Sequence, residues 1–443
     1  MNIEISKEAE IALEVLKSNG FEGYIVGGCV RDSLMNIPPH DFDICTNALP
    51  EKMSELFHNF KVVETGLKHG TITVIINGIP IEITTYRFDG EYSDNRHPTK
   101  VSFVSDLKSD LSRRDFTVNA MAFNAQNGLQ DFFGGQKDIK NKLIKCVGEP
   151  DLRFNEDALR MLRALRFSSV LGFEIDEDTS ESILKNKGLL KNISSERISA
   201  ELNKLLLGDN VYNVLEKYRG VIAVFIPELE ATFDFDQKNP HHSLTVYNHI
   251  IKSVESTPKK LILRLTMLLH DIGKPKCFTV DEKGVGHFKG HQKVSAEMSE
   301  VILKRLKYDS ATIKRVTSLI FEHDNRYPAN KSAVKSFMSK YDYDFFKLQN
   351  KVRRADCSAQ SMYLRTEKLR QIEAVEKIGK IILEENECFS LDNLKINGDD
   401  LISSGFKEGK QIGEILNKLL ELVISDEVKN DRQSLINRAK AFK

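Results

Sequence analysis

The chain has 443 residues, 41% of them hydrophobic, with 64 basic and 64 acidic side chains and a formal net charge of zero. That length exceeds what one core organises, so two or more structural units are expected, and the even charge balance excludes a uniformly basic nucleic-acid coat, leaving local basic surfaces for any such contact. No run approaches the roughly 18 apolar residues of a membrane span, the N-terminus carries Glu4, Glu8 and Glu10 in place of an export signal, and scattered cysteines without a C-x-x-C pair fit free thiols in a reducing cytoplasm.

Along the chain, Gly23-Tyr-Ile-Val reads as a strand entering a Gly27-Gly28 turn, after which Cys29-Val-Arg31-Asp32 opens a helical pattern. Backbone N–H groups at such a turn and helix start suit a triphosphate. Asp41-Phe-Asp43-Ile-Cys is a short alternating strand, so both carboxylates share one face while Phe42 and Ile44 face the core. Two acids that close repel unless a cation lies between them, and phosphoryl-transfer sites hold Mg²⁺ in this way. Gly70 to Tyr86 holds two β-runs around Asn77-Gly78, the expected tight hairpin, with Glu82 between Ile81 and Ile83 as a third carboxylate: a metal ligand, a proton acceptor or a solvated strand residue. Arg87 to Lys100 reads as a polar loop long enough to be functional. After about Pro150 helical periodicity takes over.

In that region Asn155 to Phe167 reads as one helix, with Leu159, Leu162 and Leu165 on one stripe and Asp157, Arg160 and Arg163 on another. An exposed face of ion pairs is the bland account. The chemical one is that cytosine and adenine both present an amine donor beside a ring-nitrogen acceptor, which a carboxylate and a guanidinium complement, whereas uracil and guanine present the opposite order.

G-G-x-V-R-D at Gly27–Asp32, D-x-D-I at Asp41–Ile44, R-R-D-F-T-x-N-A at Arg113–Ala120, F-G-G at Phe133–Gly135, E-D-x-x-R at Glu156–Arg160 and E-R-I at Glu196–Ile198 follow one another in order. This set resembles the polymerase-beta-type nucleotidyltransferases, and within them the bacterial class II tRNA nucleotidyltransferases with their poly(A) polymerase relatives. The resemblance implies an α+β architecture, a mixed α/β head before a helical neck, body and tail, and a template-independent transfer of C, C and A from CTP and ATP to tRNA. It implies Mg²⁺ on Asp41 and Asp43, with Glu82 as a further ligand or base; Gly28, Arg31 and Arg114 near the triphosphate; and Asp157, Arg160 and Arg163 at the base. Val62 to Thr73 and the loop from Arg87 to Lys100 resemble complete CCA-adding enzymes, and the basic G-[RK]-[RK]-F-x-[LIV]-H signature of poly(A) polymerases is not found.

Further on, HHSLTV, LLHDIGK, GHFKGHQ and VRRADCSAQ resemble the HD phosphohydrolase superfamily in order and spacing. This implies a second metal site on His242, His270, Asp271, His291, His323 and Asp356, suited to Mn, Ni, Co or Fe, with His241 and His249 as alternatives for the first ligand. The module is either a working phosphohydrolase on 2′,3′-cyclic or terminal RNA phosphates or a body that only grips tRNA. In the last segment Lys407 and Lys410, among Gly405, Gly409 and Gly413, resemble a tRNA-holding tail. The expected domains are 1–147 (head), 148–235 (neck), 236–360 (HD-type body) and 361–443 (tail). No membrane contact is expected, and nothing here specifies an oligomeric state.

Overall fold

A computed structural model describes residues 3–89, 101–104 and 106–442, in two units, Met1–Pro227 and Glu228–Lys443. The first holds a mixed sheet. Its strands are β1 (Gly23–Val26), β2 (Asp43–Thr46), β3 (Lys61–Val63), β4 (Thr71–Ile76) and β5 (Ile79–Thr85), then, past a separate two-stranded ribbon of β6 (Arg87–Asp89) and β7 (Val101–Phe103), β8 (Ala122–Asn124) and β9 (Gly128–Gln130). The order across the sheet is β3-β4-β5-β2-β1-β8-β9, with only the β2–β5 pair parallel.

The hairpin expected at Asn77-Gly78 is present. Both residues have positive φ (50° and 83°), as a type I′ turn requires, and alternation sends Ile72, Val74, Ile76, Ile81 and Ile83 into the core. The first helix, Lys7–Ser18, is capped by the Ser6 hydroxyl, which accepts from the Ala9 amide, and lays Ala9, Ala12 and Leu16 on the same core. Three expectations are adjusted. β2 begins at Asp43, so Asp41 precedes the strand. Arg87–Asp89 is a ribbon strand that pairs with Val101–Phe103, and residues 90–100 of the expected loop lie outside the described residues. The run from Asn155 to Phe167 is two helices: one ends at Glu156, Asp157 is extended (φ −140°, ψ 102°), and the next begins at Leu159.

Beyond the head the chain is helical apart from two-residue strands at Glu174–Ile175, which pairs with Leu143–Ile144, and at Thr279–Val280 with Gly286–His287. In the second unit the helices Val246–Glu255, Leu261–Leu269, His291–Arg305, Ser310–Glu322 and Tyr343–Ala359 pack around a buried polar cluster. A further core at residues 388–442 centres on Leu401, Leu419 and Leu435. No described helix is long and apolar enough to cross a membrane. All six cysteines are free, and all but Cys277 are buried.

Candidate active site and a second polar cluster

In the head, the parallel register sets Asp43 beside Glu82, with Asp41 two residues upstream. Asp43 keeps an exposed face, yet the protein crowding its carboxyl strips it of water, and Glu82 and Asp41 add like charge; only Arg114 opposes them. The result holds Asp43 up to about 6. This group of carboxylates, short of positive charge, suits Mg²⁺. Beside it, Gly27 turns at φ 83°, and a Cβ there would meet an Arg114 guanidinium nitrogen at 3.0 Å, so glycine admits that arginine next to the turn. Arg31 donates to the Asn119 side chain at 2.6 Å and pairs with Asp32 at 2.7 Å, and its guanidinium lies 5.1 Å from the Phe167 ring. Gly28 opens the short helix that carries Arg31.

The residues expected to meet the base have fixed partners. Asp157 pairs with Arg197 at 2.7 Å and accepts from the Leu159 amide, which holds it at the break between helices. Arg160 pairs with Glu156 at 2.6 Å and donates to the Arg113 carbonyl at 2.9 Å. Arg163 pairs with Asp115 at 2.6 Å. Burial alone would raise Asp115, but Arg163, Asn119 and Arg160 outweigh it and hold its carboxyl down to about 2. Arg197, Asp115 and Asp110, a fully buried partner of Arg113 and Arg114, are the residues that the sequence reading left without a role. Arg197 lies in the E-R-I motif, which was the available signal.

In the second unit, His249, His270, Asp271 and Asp356 form one group whose ligand atoms lie within 4.8 Å of one another, and Asp271, His291 and His323 form another. His249 thus stands where His242 was expected: the helix capped by Thr245 carries His249 inward, whereas His242 precedes that helix and lies edge-on to His249 at 5.0 Å. The other five expected ligands come together. Each ring is anchored through Nδ1 to a backbone carbonyl: His249 to Ala359, His270 to Met267, His291 to Phe288 and His323 to Ile320. With Nδ1 engaged in this way, Nε2 is the ring atom that each histidine turns inward. There His249 and His270 Nε2 are 3.3 Å apart, and His291 and His323 Nε2 are 3.2 Å apart. Asp271, 1% exposed, faces His249 and His270 through Oδ2 (3.3 Å each) and His291 and His323 through Oδ1 (3.3 and 3.5 Å), yet neither oxygen accepts an aligned hydrogen bond. Lys274 lies 2.7 Å from Oδ2, a partner the sequence reading did not single out. Several imidazole nitrogens converging on one buried carboxylate, with a second carboxylate beside it, are the pattern of a cation site. The same demand shows in His270: burial would lower it, but Asp271 and Asp356 pull it up to about 9.

Comparison with known proteins places these sites in a family. A model of the poly A polymerase head domain matches residues 23–145, one described as "Probable RNA and SrmB- binding site of polymerase A" matches 172–233, and one of tRNA nucleotidyltransferase domain 2 matches 288–439. The CCA-adding enzyme of Ligilactobacillus salivarius is 34% identical over 443 residues, covering 98% of this chain and 96% of its own. The chain belongs to the CCA-adding enzymes. The CCA-adding enzyme of Lactobacillus delbrueckii subsp. bulgaricus is 50% identical over 205 residues, 46% of this chain and 51% of that one. The crystal structure of the Bacillus stearothermophilus CCA-adding enzyme in complex with CTP superposes with a TM-score of 0.71 at 27% identity, covering 98% and 97% of the two chains. In the tail of this family member, Lys407 and Lys410 are exposed; Gly409, at φ 143°, caps the helix Lys410–Ile424 that Lys410 opens.

Proposed function

We propose that this chain adds C, C and A to the 3′ end of tRNA from CTP and ATP, with release of pyrophosphate. The observation that carries it is the carboxylate group on adjoining parallel strands, in a chain that follows CCA-adding enzymes along nearly its whole length. Asp41 and Asp43 hold Mg²⁺, which when bound supplies charge to the attacking and leaving oxygens. The tRNA 3′-hydroxyl forms a bond to the α-phosphorus, the α–β bridging bond breaks, and the hydroxyl proton passes to Glu82 or solvent. Gly28, Arg31 and Arg114 lie along the triphosphate. Asp157 accepts from the base amine and Arg160 donates to the ring nitrogen, with Arg197 and Glu156 holding the two side chains in place and Arg163 bracing Asp115 behind them. Lys407 and Lys410 contact tRNA phosphates.

A second activity is favoured by the four imidazoles gathered on the two oxygens of the buried Asp271. We propose that this cluster would hold two divalent transition metals, one on His249, His270, Asp271 and Asp356 and one on Asp271, His291 and His323, which when bound would activate water and polarise a phosphoryl group. The substrate is a 2′,3′-cyclic or terminal phosphate on an RNA end. Water adds to phosphorus, the P–O3′ bond breaks and O3′ takes the proton, which frees the 3′-hydroxyl that the head needs; from a cyclic phosphate the phosphate stays on O2′.

The experiment supplies tRNA ending at its discriminator base with CTP, ATP or both, using wild type, Asp43→Ala and Asp271→Ala. Wild type should extend by CC with CTP and by CCA with both; Asp43→Ala should lose about a thousandfold or more in rate; Asp271→Ala should extend normally. Long A tracts from wild type would establish poly(A) addition instead, and normal extension by Asp43→Ala would refute the head assignment.

A further inference from the structure

The cation cluster opens into a cavity of about 370 Å³, on whose lining Lys274, Lys289, Arg326 and Lys368 gather beside the ligands. From Asp356 a chain of contacts runs along the lining to His241 and from there to Tyr363 beside it. Asp356 accepts from the Gln360 amide at 2.9 Å, Gln360 accepts from the Lys368 ammonium at 2.6 Å, and Lys368 donates to His241 Nδ1 at 3.2 Å. The His241 ring lies 4.8 Å from that of Tyr363. The Tyr363 segment is held firmly: the Ser361 amide donates to the His241 carbonyl at 2.8 Å and its hydroxyl to the Pro240 carbonyl at 2.6 Å. It nonetheless displays three large apolar side chains in a row, Met362, Tyr363 and Leu364, at 71%, 53% and 47% exposure, with Leu364 in the left-handed region at φ 54°.

A bulky residue in that conformation costs energy, and adjacent exposed apolar groups mark a contact surface. The neighbouring cavity says what the surface contacts. Converging lysines and an arginine beside a metal-ligand set select a phosphate, and a flat exposed ring at the end of the same chain of contacts selects a flat, π-rich group. A nucleotide carries both. We propose that Tyr363 is a stacking platform for the base of the terminal nucleotide of an RNA whose phosphate is held at the Asp271 cluster. This rests on the phosphohydrolase reading above.

The test uses the full chain loaded with Mn²⁺, Co²⁺ or Ni²⁺. Uridine 2′,3′-cyclic phosphate is the probe, because the head is built against uracil, and 1-O-methylribose 2,3-cyclic phosphate is its base-free counterpart. The preference in kcat/KM for the uridine compound should fall about tenfold in Tyr363→Ala, mainly through KM, and persist in Tyr363→Phe, since stacking needs the ring and not the hydroxyl. An unchanged preference in Tyr363→Ala, or equal losses on both substrates, overturns the proposal. If wild type hydrolyses neither compound, calorimetric titration with uridine 2′-monophosphate decides: affinity that drops about tenfold in Tyr363→Ala sustains the platform while the hydrolase reading fails, and affinity that is absent or indifferent to Tyr363 overturns the platform too.

Discussion

Two buried or crowded aspartates in the head are shifted in opposite directions and give the protein two separate acid–base signatures. Asp43 is held up to about 6, so the native state keeps a proton that the unfolded chain loses near pH 4; its contribution is present below about 4 and is lost as pH rises to about 6. Asp115 is held down to about 2, so its contribution is present above about 4 and is lost as pH falls to about 2. Thermal melts without metal should therefore show Asp43→Asn above wild type at pH 7, with the gap closing below pH 4 and on adding Mg²⁺. Asp115→Asn should be less stable at pH 7 and show a flatter loss between pH 4 and 2. Identical pH profiles for all three proteins would remove both assignments. Selection is tested at the neighbouring pair. Asp157→Ala should cost CTP and ATP use about 10–100-fold relative to UTP and GTP, the scale of a lost bidentate contact. Arg197→Met, which frees Asp157 without removing it, should narrow the same ratio by a smaller factor, and Arg197→Lys should restore part of it. Single-turnover rates with the four nucleotides give the answer, and indifference of the ratio to both positions means that the pair at 2.7 Å is only a brace.

At the scale of elements, the histidine cluster is assembled by helix ends. His270 and His323 follow the last turns of their helices and His291 opens one, so the carbonyls that accept their Nδ1 protons belong to the same local turns. Asp271 offers one oxygen to each of the two groups, and this geometry predicts two divalent ions per chain by metal analysis. Asp271→Ala should remove both, His291→Ala only one, and His242→Ala neither, while His249→Ala should weaken binding at least about tenfold; one ion per wild-type chain would contradict the bridging arrangement. Much of this was legible in the sequence. The Asn77-Gly78 hairpin and the gathering of five of the six cluster residues follow from alternation, turn chemistry and ordered motifs. The break at Asp157 was not legible, because no Gly or Pro marks it and the leucine stripe of Leu159, Leu162 and Leu165 lies wholly beyond it; the pairing partner that holds the residue, Arg197, comes from another helix. His249 lost to His242 in the sequence reading because motif spacing cannot tell a residue on the inner face of a helix from one just ahead of it.

For the whole molecule, each proposed site draws its residues from one unit: the head carboxylates, Asp157, Arg160 and Arg197 lie before Pro227, and all the cluster histidines follow Glu228. That division is the physical ground for expecting one activity to survive loss of the other. One detail of the head reaches further than its place on the surface suggests. The two-residue turn at Asn77-Gly78 fixes how β5 lies against β4, and β5 in turn brings Glu82 level with Asp43. Its neighbours in the strand are Ile81 and Ile83, both buried. Adding or deleting a single residue in that exposed turn slides an isoleucine into the place of the carboxylate and swings the core isoleucines towards water. The loop is thus bound in length, and its positive φ at both positions confines it to Asn, Asp and Gly: homologues that keep the chemistry should differ there by such substitutions and not by insertion or deletion.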